Sequence, residues 1–284
     1  MPSASQDWTQ AAPIPPFIYG TAWKEDRTEV LTRLAVGAGF RGIDTANQRK
    51  HYLEAGVGAA LKEVLATGEV SRAELFLQSK FTFLGGQDER LPYDRAAAIE
   101  TQVAQSFESS LVHLGTDYLD SYVLHGPSSR RGFSDVDWQA WRAMEALAQA
   151  GRVRWLGVSN VSLEQLSALY AGANLPPKFV QNRCYAKTRW DSEVRALCRS
   201  QGSVYQGFSL LTANRAELAG AVARGVADGV GRPIAQVVFR FCQILGILPL
   251  TGTSRLEHMR LDLEANALEL SPSQVSTLET LTAD

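Results

Sequence analysis

At 284 residues the chain is long enough for one large α/β barrel, which commonly runs to about 250 residues, or for two smaller domains. An apolar content of 45% supplies an ample core, and a formal net charge of -2 leaves no electrostatic footprint for nucleic acid or an anionic membrane surface. Small neutral or mildly polar molecules are the expected partners.

Residues 1–16 carry neither a basic start nor an apolar stretch long enough for export, and residues 1–15 are expected to be poorly ordered. No run of about 18 apolar residues occurs, so a cytoplasmic protein is expected. Short β-rich runs then recur at 17–21, 41–45, 75–81, 118–125, 153–159, 178–182, 204–208 and 247–251. Helix-period segments separate them. Glu29 to Ala38 stops at Gly39; Asp94 opens a run with Ile99, Val103, Phe107, Leu111 and Leu114 at helical spacing, ended by Gly115. Trp138, Trp141, Met144 and Leu147 stripe the next helix as packing residues, and Ser271-Pro272 caps a terminal one.

Strands alternating with helices imply parallel pairing, and eight such units suit a closed (β/α)8 barrel, with a doubly wound open sheet as the competing architecture. No Pro/Gly/Ser-rich linker divides the chain, so residues 1–284 are expected to form one domain. Cys184, Cys198 and Cys242 lack the spacing of a disulfide framework or zinc site and are expected to be buried thiols. Four histidines without clustered ligand spacing argue against a metal-dependent hydrolase.

Chemistry in such a barrel sits at the carboxyl ends of the strands, where Asp44, Tyr52, Lys80, His125, Ser159, Asn160 and Gln181 fall. Reducing a carbonyl needs a hydride donor at the carbon and a proton donor at the oxygen. A phenol, ordinarily titrating near ~10, would suit the second task if the Lys80 ammonium lowered its pKa, with Asp44 keeping the lysine charged. His125 leaves an apolar strand into a Gly-Pro turn, where an imidazole can orient a carbonyl oxygen. Taken singly, each of the four is equally explained by a salt bridge or a strand-end hydrogen bond.

Their order carries more. Gly42-Ile43-Asp44-Thr45-Ala46, Gln78-Ser79-Lys80, the stretch from Asp117 to His125, and Gly157-Val158-Ser159-Asn160 resemble the successive signatures of the aldo-keto reductase family, from about Gly20 to the final helix. The resemblance implies a (β/α)8 barrel, usually monomeric, that binds NADP(H) without a Rossmann domain and reduces aldehydes or ketones. In keeping with it, no Gly-x-Gly-x-x-Gly follows any predicted strand. It places Ser159, Asn160 and Gln181 on the nicotinamide carboxamide, Phe208 against the ring face, and Ser209 and Leu211 beside the pyrophosphate. Gly20 and Thr21 would admit the cofactor and Trp23 would wall the substrate pocket. Loops 82–93 and 126–136 should overhang the mouth, and no long carboxyl-terminal loop is expected to cover it.

Two departures stand out. The family's tyrosine follows its aspartate by five residues; here that position is Arg49, and the nearby tyrosine is Tyr52. Glu54 stands three residues before Val57-Gly58 as the family's glutamate does, so a short insertion within residues 47–51 would return Tyr52 to the site as proton donor. Arg49, Lys50 and His51 would add positive charge beside the pocket. The alternative is a cofactor-binding sensor or scaffold with Arg49 in the tyrosine's place. At the adenosine end the family's lysine is missing, leaving Gly252, Thr253, Ser254, Arg255, His258 and Asp262 as cofactor contacts. NADP(H) is favoured, with NAD(H) the alternative.

Overall fold

The structure, a computed structural model, describes residues 13–281. Eight strands, β1 (Ile18–Gly20), β2 (Gly42–Asp44), β3 (Phe76–Phe81), β4 (Leu119–Leu124), β5 (Val153–Ser159), β6 (Phe179–Arg183), β7 (Val204–Phe208) and β8 (Ile247–Thr251), pair in sequence order. All pairs are parallel, and β8 returns to β1 with Ile18 opposite Leu250 and Tyr19 opposite Thr251. That last ladder closes the barrel and excludes the open doubly wound sheet.

Around it run α1 (Thr28–Ala38), α2 (Glu54–Ala66), α3 (Ile99–Leu114), α4 (Asp135–Gln149), α5 (Leu163–Gly172), α6 (Ser192–Ser200), α7 (Arg215–Ala219), α8 (Ala221–Val230), α9 (Ile234–Ile244), α10 (Leu256–Glu264) and α11 (Pro272–Glu279). Serine caps explain several starts: Ser134, Ser162 and Ser271 each accept from a backbone N–H three residues on, within a capping box. Gly115 ends α3 in the left-handed conformation at φ 65°.

The amino end of α3 differs from expectation. Asp94 heads a turn, its carboxylate accepting from Ala96 N at 2.9 Å and its carbonyl from Ala97 N at 3.2 Å. An aspartate that satisfies local backbone donors in this way favours a turn over helix continuation, so the helix begins five residues later, at Ile99.

Because both faces of a barrel strand are covered, β3 and β4 are buried along their whole lengths. Inside the barrel the side chains form layers. Ile18, Phe76, Phe179, Leu248 and Leu250 make an apolar floor. Two residues further along β3 and β6, on the same strand faces, come Gln78 and Gln181, and two further on β3 comes Lys80. Outside, the helices pack a second apolar layer that includes Trp141, Met144 and Trp190. The indole N–H of Trp190 donates to the Leu278 carbonyl of α11 at 2.8 Å, fixing the terminal helix.

Residues 1–12 lie outside the described residues, and with them most of the segment expected to be poorly ordered. Pro15 is buried, and Ile14 packs against the floor cluster. The three cysteines are free and buried, and burial pushes the Cys184 and Cys198 thiols up to about 12. No helix among the described residues is long and apolar enough to cross a membrane.

Glu54, at the first residue of α2, ties the helix layer to the barrel. It accepts from the Ser79 hydroxyl of β3 and lies 3.1 Å from His113 Nδ1 of α3, which raises the histidine pKa. The pairing needs α2 and α3 close together, and Gly58 allows it: a Cβ there would sit 1.8 Å from the His113 carbonyl oxygen. Gly58→Ala should therefore destabilise the fold by at least the roughly 1–3 kcal/mol of ordinary overpacking, because the obstacle is backbone. Denaturant unfolding measures this; a midpoint equal to wild type would mean that the two helices separate freely.

Candidate active site

The carboxyl ends of the strands open into one cavity of about 1460 Å³, beyond the roughly 300–1,000 Å³ of ordinary small-molecule pockets. Gly20, Asp44, Tyr52, His125, Ser159, Asn160, Gln181, Phe208 and Thr251 line it. So do Thr82 to Gly86, Gly126 to Ser128, and Val136, the two loops expected at the mouth. Trp23, Asn160 and Ser209, all lining it, have φ of 62°, 52° and 56°. Left-handed backbone at non-glycine residues costs of order 1–3 kcal/mol each and concentrates at functional sites.

At the base of the cavity lies a buried ion pair. Lys80, at 0% exposure, donates to both Asp44 carboxylate oxygens at 2.7 Å and to the Thr45 carbonyl at 2.8 Å. Three acceptors match the three protons of an ammonium group. Burial pulls the lysine pKa down, and Asp44, then Glu54, oppose that shift. Thr21, expected to touch the cofactor, is instead fully buried outside the cavity wall, its hydroxyl donating to the Asp44 carbonyl at 3.0 Å. A small hydroxyl one residue past β1 reaches the neighbouring strand more readily than the open mouth.

Tyr52 lies over this pair, with Lys80 Nζ 5.1 Å from the centre of its ring and the His125 ring 5.9 Å away, edge-on. Arg49 does not line the cavity; its guanidinium points to Glu25 at 3.8 Å. The backbone between them turns tightly, His51 N and Tyr52 N both donating to the Gln48 carbonyl. That turn takes up the extra residues and swings the phenol inward. The expected lowering of its pKa is not found. Burial pushes the phenol well above the usual tyrosine range and the Asp44 carboxylate adds to this, while the Lys80 ammonium directs all three protons elsewhere.

His125 faces the same space. Burial, then the Lys80 charge, hold its pKa well below the ordinary value, so the ring is neutral at pH 7. Nδ1 lies 2.7 Å from the Thr82 hydroxyl, which has no other protein partner among the described residues. Assigning that hydroxyl as the donor satisfies it and leaves the ring proton on Nε2.

Along the expected cofactor track, Asn160 donates to the His125 carbonyl at 2.8 Å and to Ser159 Oγ at 3.1 Å, which fixes its amide. Gln181 donates to Asp44 and to Gln206. Phe208 is half-buried, with the Arg183 guanidinium 5.5 Å from its ring centre. Ser209, Leu211, Gly252, Thr253, His258 and Asp262 also line the cavity. Ser254 and Arg255 do not; Arg255 is exposed and pairs with Glu257 at 3.3 Å. Trp23 lines the mouth at 66% exposure and stacks on His51, ring centres 3.9 Å apart. A side chain so exposed contributes little packing.

Several lining residues escape a reading of strand ends alone. Lys24 donates to the Gly252 carbonyl, and burial followed by the nearby Arg27 charge bring its pKa down to about 8. Pro233 to Gln236, at the start of α9, close the far side. Only the position of Lys24, next to the Gly20-Thr21-Ala22-Trp23 motif, gave a sequence signal.

Residues 18–283 match the model of the aldo/keto reductase family. A glyoxal reductase of Bacillus subtilis is 28% identical over 289 residues, covering 100% of this chain and 96% of the relative. An NAD/NADP-dependent indole-3-acetaldehyde reductase of Schizosaccharomyces pombe is 27% identical, covering 95% and 91%. Among solved structures, an aldo-keto reductase complexed with NADPH superposes with a TM-score of 0.80 at 21% identity, over 95% of this chain and 85% of that one. One from a deep-sea metagenome library gives 0.80 at 21% identity, over 94% and 91%, a likeness of fold.

Asp262 carries a pH consequence. It is buried with the Thr251 hydroxyl, at 2.8 Å, as its only donor among the described residues, and burial pushes its carboxyl up from 3.8 to about 6. A carboxyl whose pKa rises on folding binds more protons in the native state between those values, so stability falls as pH climbs through about 6. Asp262→Asn should raise the melting temperature at pH near 7, by up to roughly 3 kcal/mol of stability, and give no gain below the unfolded-state pKa. Thermal melts of both proteins across that range test it; an equal change at all pH values would contradict it.

Proposed function

Since the chain belongs to the aldo/keto reductase family, we propose that it reduces aldehydes or ketones to alcohols with NADP(H), Tyr52 supplying the proton. The observation that carries this reading is the placement of Tyr52 in the cavity over the Asp44–Lys80 pair, with Arg49 directed away. The cavity also suits the cofactor. Its volume leaves room for an extended dinucleotide and a small substrate, an aromatic ring lines its middle, and the Gln181 carbonyl oxygen has no partner among the described residues.

Ser159, Asn160 and Gln181 would hold the carboxamide, Phe208 the ring face, Ser209, Leu211, Gly252 and Thr253 the pyrophosphate, and His258 and Asp262 the adenosine end. When bound, the cofactor supplies the hydride for the carbonyl carbon. His125 donates from Nε2 to the carbonyl oxygen and fixes its position. The Tyr52 phenol, kept protonated by its raised pKa, gives its proton to the same oxygen as negative charge develops there. Lys80 places a compensating positive charge beneath the phenolate left behind, and Asp44 keeps that lysine charged in its apolar surroundings. The reverse oxidation uses the same groups.

The NADP(H) preference rests on His258 at the cavity wall, on Arg255 immediately before α10, and on the NADPH-bound structural relative. Arg255 must leave Glu257 to reach a 2′-phosphate, and NAD(H) is the weaker alternative. The sensor reading finds no support in the position of Arg49.

Purified protein assayed for NADPH consumption against glyoxal, indole-3-acetaldehyde and a panel of simple aldehydes and ketones should show turnover. Tyr52→Phe should lower kcat by roughly 10²–10⁴-fold and leave the cofactor Kd nearly unchanged. Turnover by the variant at the wild-type rate would remove Tyr52 from the reaction; cofactor binding without consumption of any carbonyl by the wild type would favour a sensor.

A further inference from the structure

Beneath the site, the barrel interior holds a layer that is polar where branched apolar side chains are usual. Asp44, Gln78, Gln181 and Gln206 come from β2, β3, β6 and β7, and all are buried, Gln78 and Gln206 at 0% exposure. Gln78 Nε2 donates to Asp44 Oδ1 at 2.7 Å and to Gln206 Oε1 at 2.8 Å. Gln206 Nε2 returns a bond to Gln78 Oε1 at 3.0 Å. Gln181 Nε2 donates to Asp44 Oδ1 at 3.0 Å and to Gln206 Oε1 at 2.9 Å. β2 and β6, like β3 and β7, are not neighbours, so the Gln181–Asp44 bond and the two Gln78–Gln206 bonds cross the inside of the barrel.

The charge on Asp44 gives the layer a direction. An ionised carboxylate only accepts, so each amide touching it must present its NH2 group. For Gln78 this leaves the carbonyl oxygen to receive the Gln206 amide, whose own oxygen then faces the protons of both neighbours. Gln181 is thereby held by two acceptors, Asp44 Oδ1 and Gln206 Oε1, which together use both of its amide protons. Its carbonyl oxygen, on the cavity side, has no partner among the described residues; the only other spare group in the layer is the second amide proton of Gln206, whose Nε2 makes a single bond. Flipping Gln181 would set that oxygen against the Asp44 carboxylate and the Gln206 oxygen at once. Amides sealed in an apolar barrel are costly unless fully paired, and the pairing here has one consistent arrangement.

From this layer we infer that Gln78 and Gln206 are positioning residues that lock Gln181 as a pure hydrogen-bond acceptor toward the cavity, so that the site selects a nicotinamide ring carrying an N–H donor. The inference rests on the cofactor reading above and deepens it. Gln206 acts directly, by accepting from Gln181; Gln78 acts through Gln206 and Asp44.

The test is binding of the oxidised cofactor without turnover, followed by quenching of tryptophan fluorescence, for NADP and for its 3-acetylpyridine analogue, in which a methyl group replaces the carboxamide NH2. Wild type should bind the analogue about tenfold more weakly, as the loss of one paired polar contact implies. Gln206→Met, close in size and without a hydrogen-bonding amide, removes one of the two acceptors that hold Gln181 and leaves it tied to Asp44 alone, so its orientation loosens and the ratio of the two Kd values should fall several-fold. Thermal melting reports whether the variant is folded, and Gln78→Met provides a second, independent variant. A folded Gln206→Met protein with the wild-type ratio would overturn the inference and leave the amides as filling. If neither variant folds, the wild-type ratio decides: equal affinity for the two dinucleotides overturns the acceptor assignment. Binding of neither dinucleotide by the wild type would instead sink the cofactor reading itself.

Discussion

The buried pair of Asp44 and Lys80 is the constraint on which the site depends. Taking a carboxylate and an ammonium out of water costs several kcal/mol for each ion, and their attraction offsets this only when geometry and additional hydrogen bonds are good. Both conditions are met here. Lys80 directs three protons at three oxygens, and Asp44 receives four bonds, two from Lys80 and one each from Gln78 and Gln181. The pair thus fixes a positive charge under Tyr52 and the orientation of the amide layer below, and its ammonium adds to the burial that keeps His125 neutral. Removing either partner would leave the other charge buried and alone, which explains why Thr21, Thr45, Gln78 and Gln181 all converge on so small a volume.

The Tyr52 phenol illustrates how the pair works. A cation beside a tyrosine lowers its pKa in isolation, but here burial outweighs it, and the Asp44 carboxylate adds repulsion to a phenolate. The result is a phenol that keeps its proton at neutral pH. Such an arrangement suits protonation of a developing alkoxide better than supply of a free phenolate. His125, kept neutral by burial first and the Lys80 charge second, is suited to orienting an oxygen by a hydrogen bond.

Much of the barrel was legible because its signals are local: β-rich runs, serine caps, glycine stops and chemistry-bearing residues at strand ends. The place of Tyr52 in the cavity wall was legible too, since Glu54 and Val57-Gly58 kept the downstream frame and the residues between were short enough to fold into a turn. The amide layer was not. Gln78 and Gln206 are 128 residues apart and meet only across the closed barrel, so neither residue carries a local sign of its partner. Thr21 lies outside the cavity wall for a related reason: a position next to a strand end fixes height in the barrel and leaves the direction of the side chain to its nearest acceptor, here the Asp44 carbonyl. Asp94 was misread as a helix start because an aspartate that caps a helix and one that holds a turn look alike until the backbone is seen.

The central claim is that Tyr52, displaced in sequence, occupies the position of the acid in space. The most direct measurement is a crystal structure of the protein with NADP and an oxygen-bearing substrate analogue. The account predicts the Tyr52 hydroxyl and His125 Nε2 both within about 2.6–3.2 Å of that one oxygen, with Lys80 still bound to Asp44. An analogue oxygen contacted by Arg49, or a phenol turned away from it, would contradict the account.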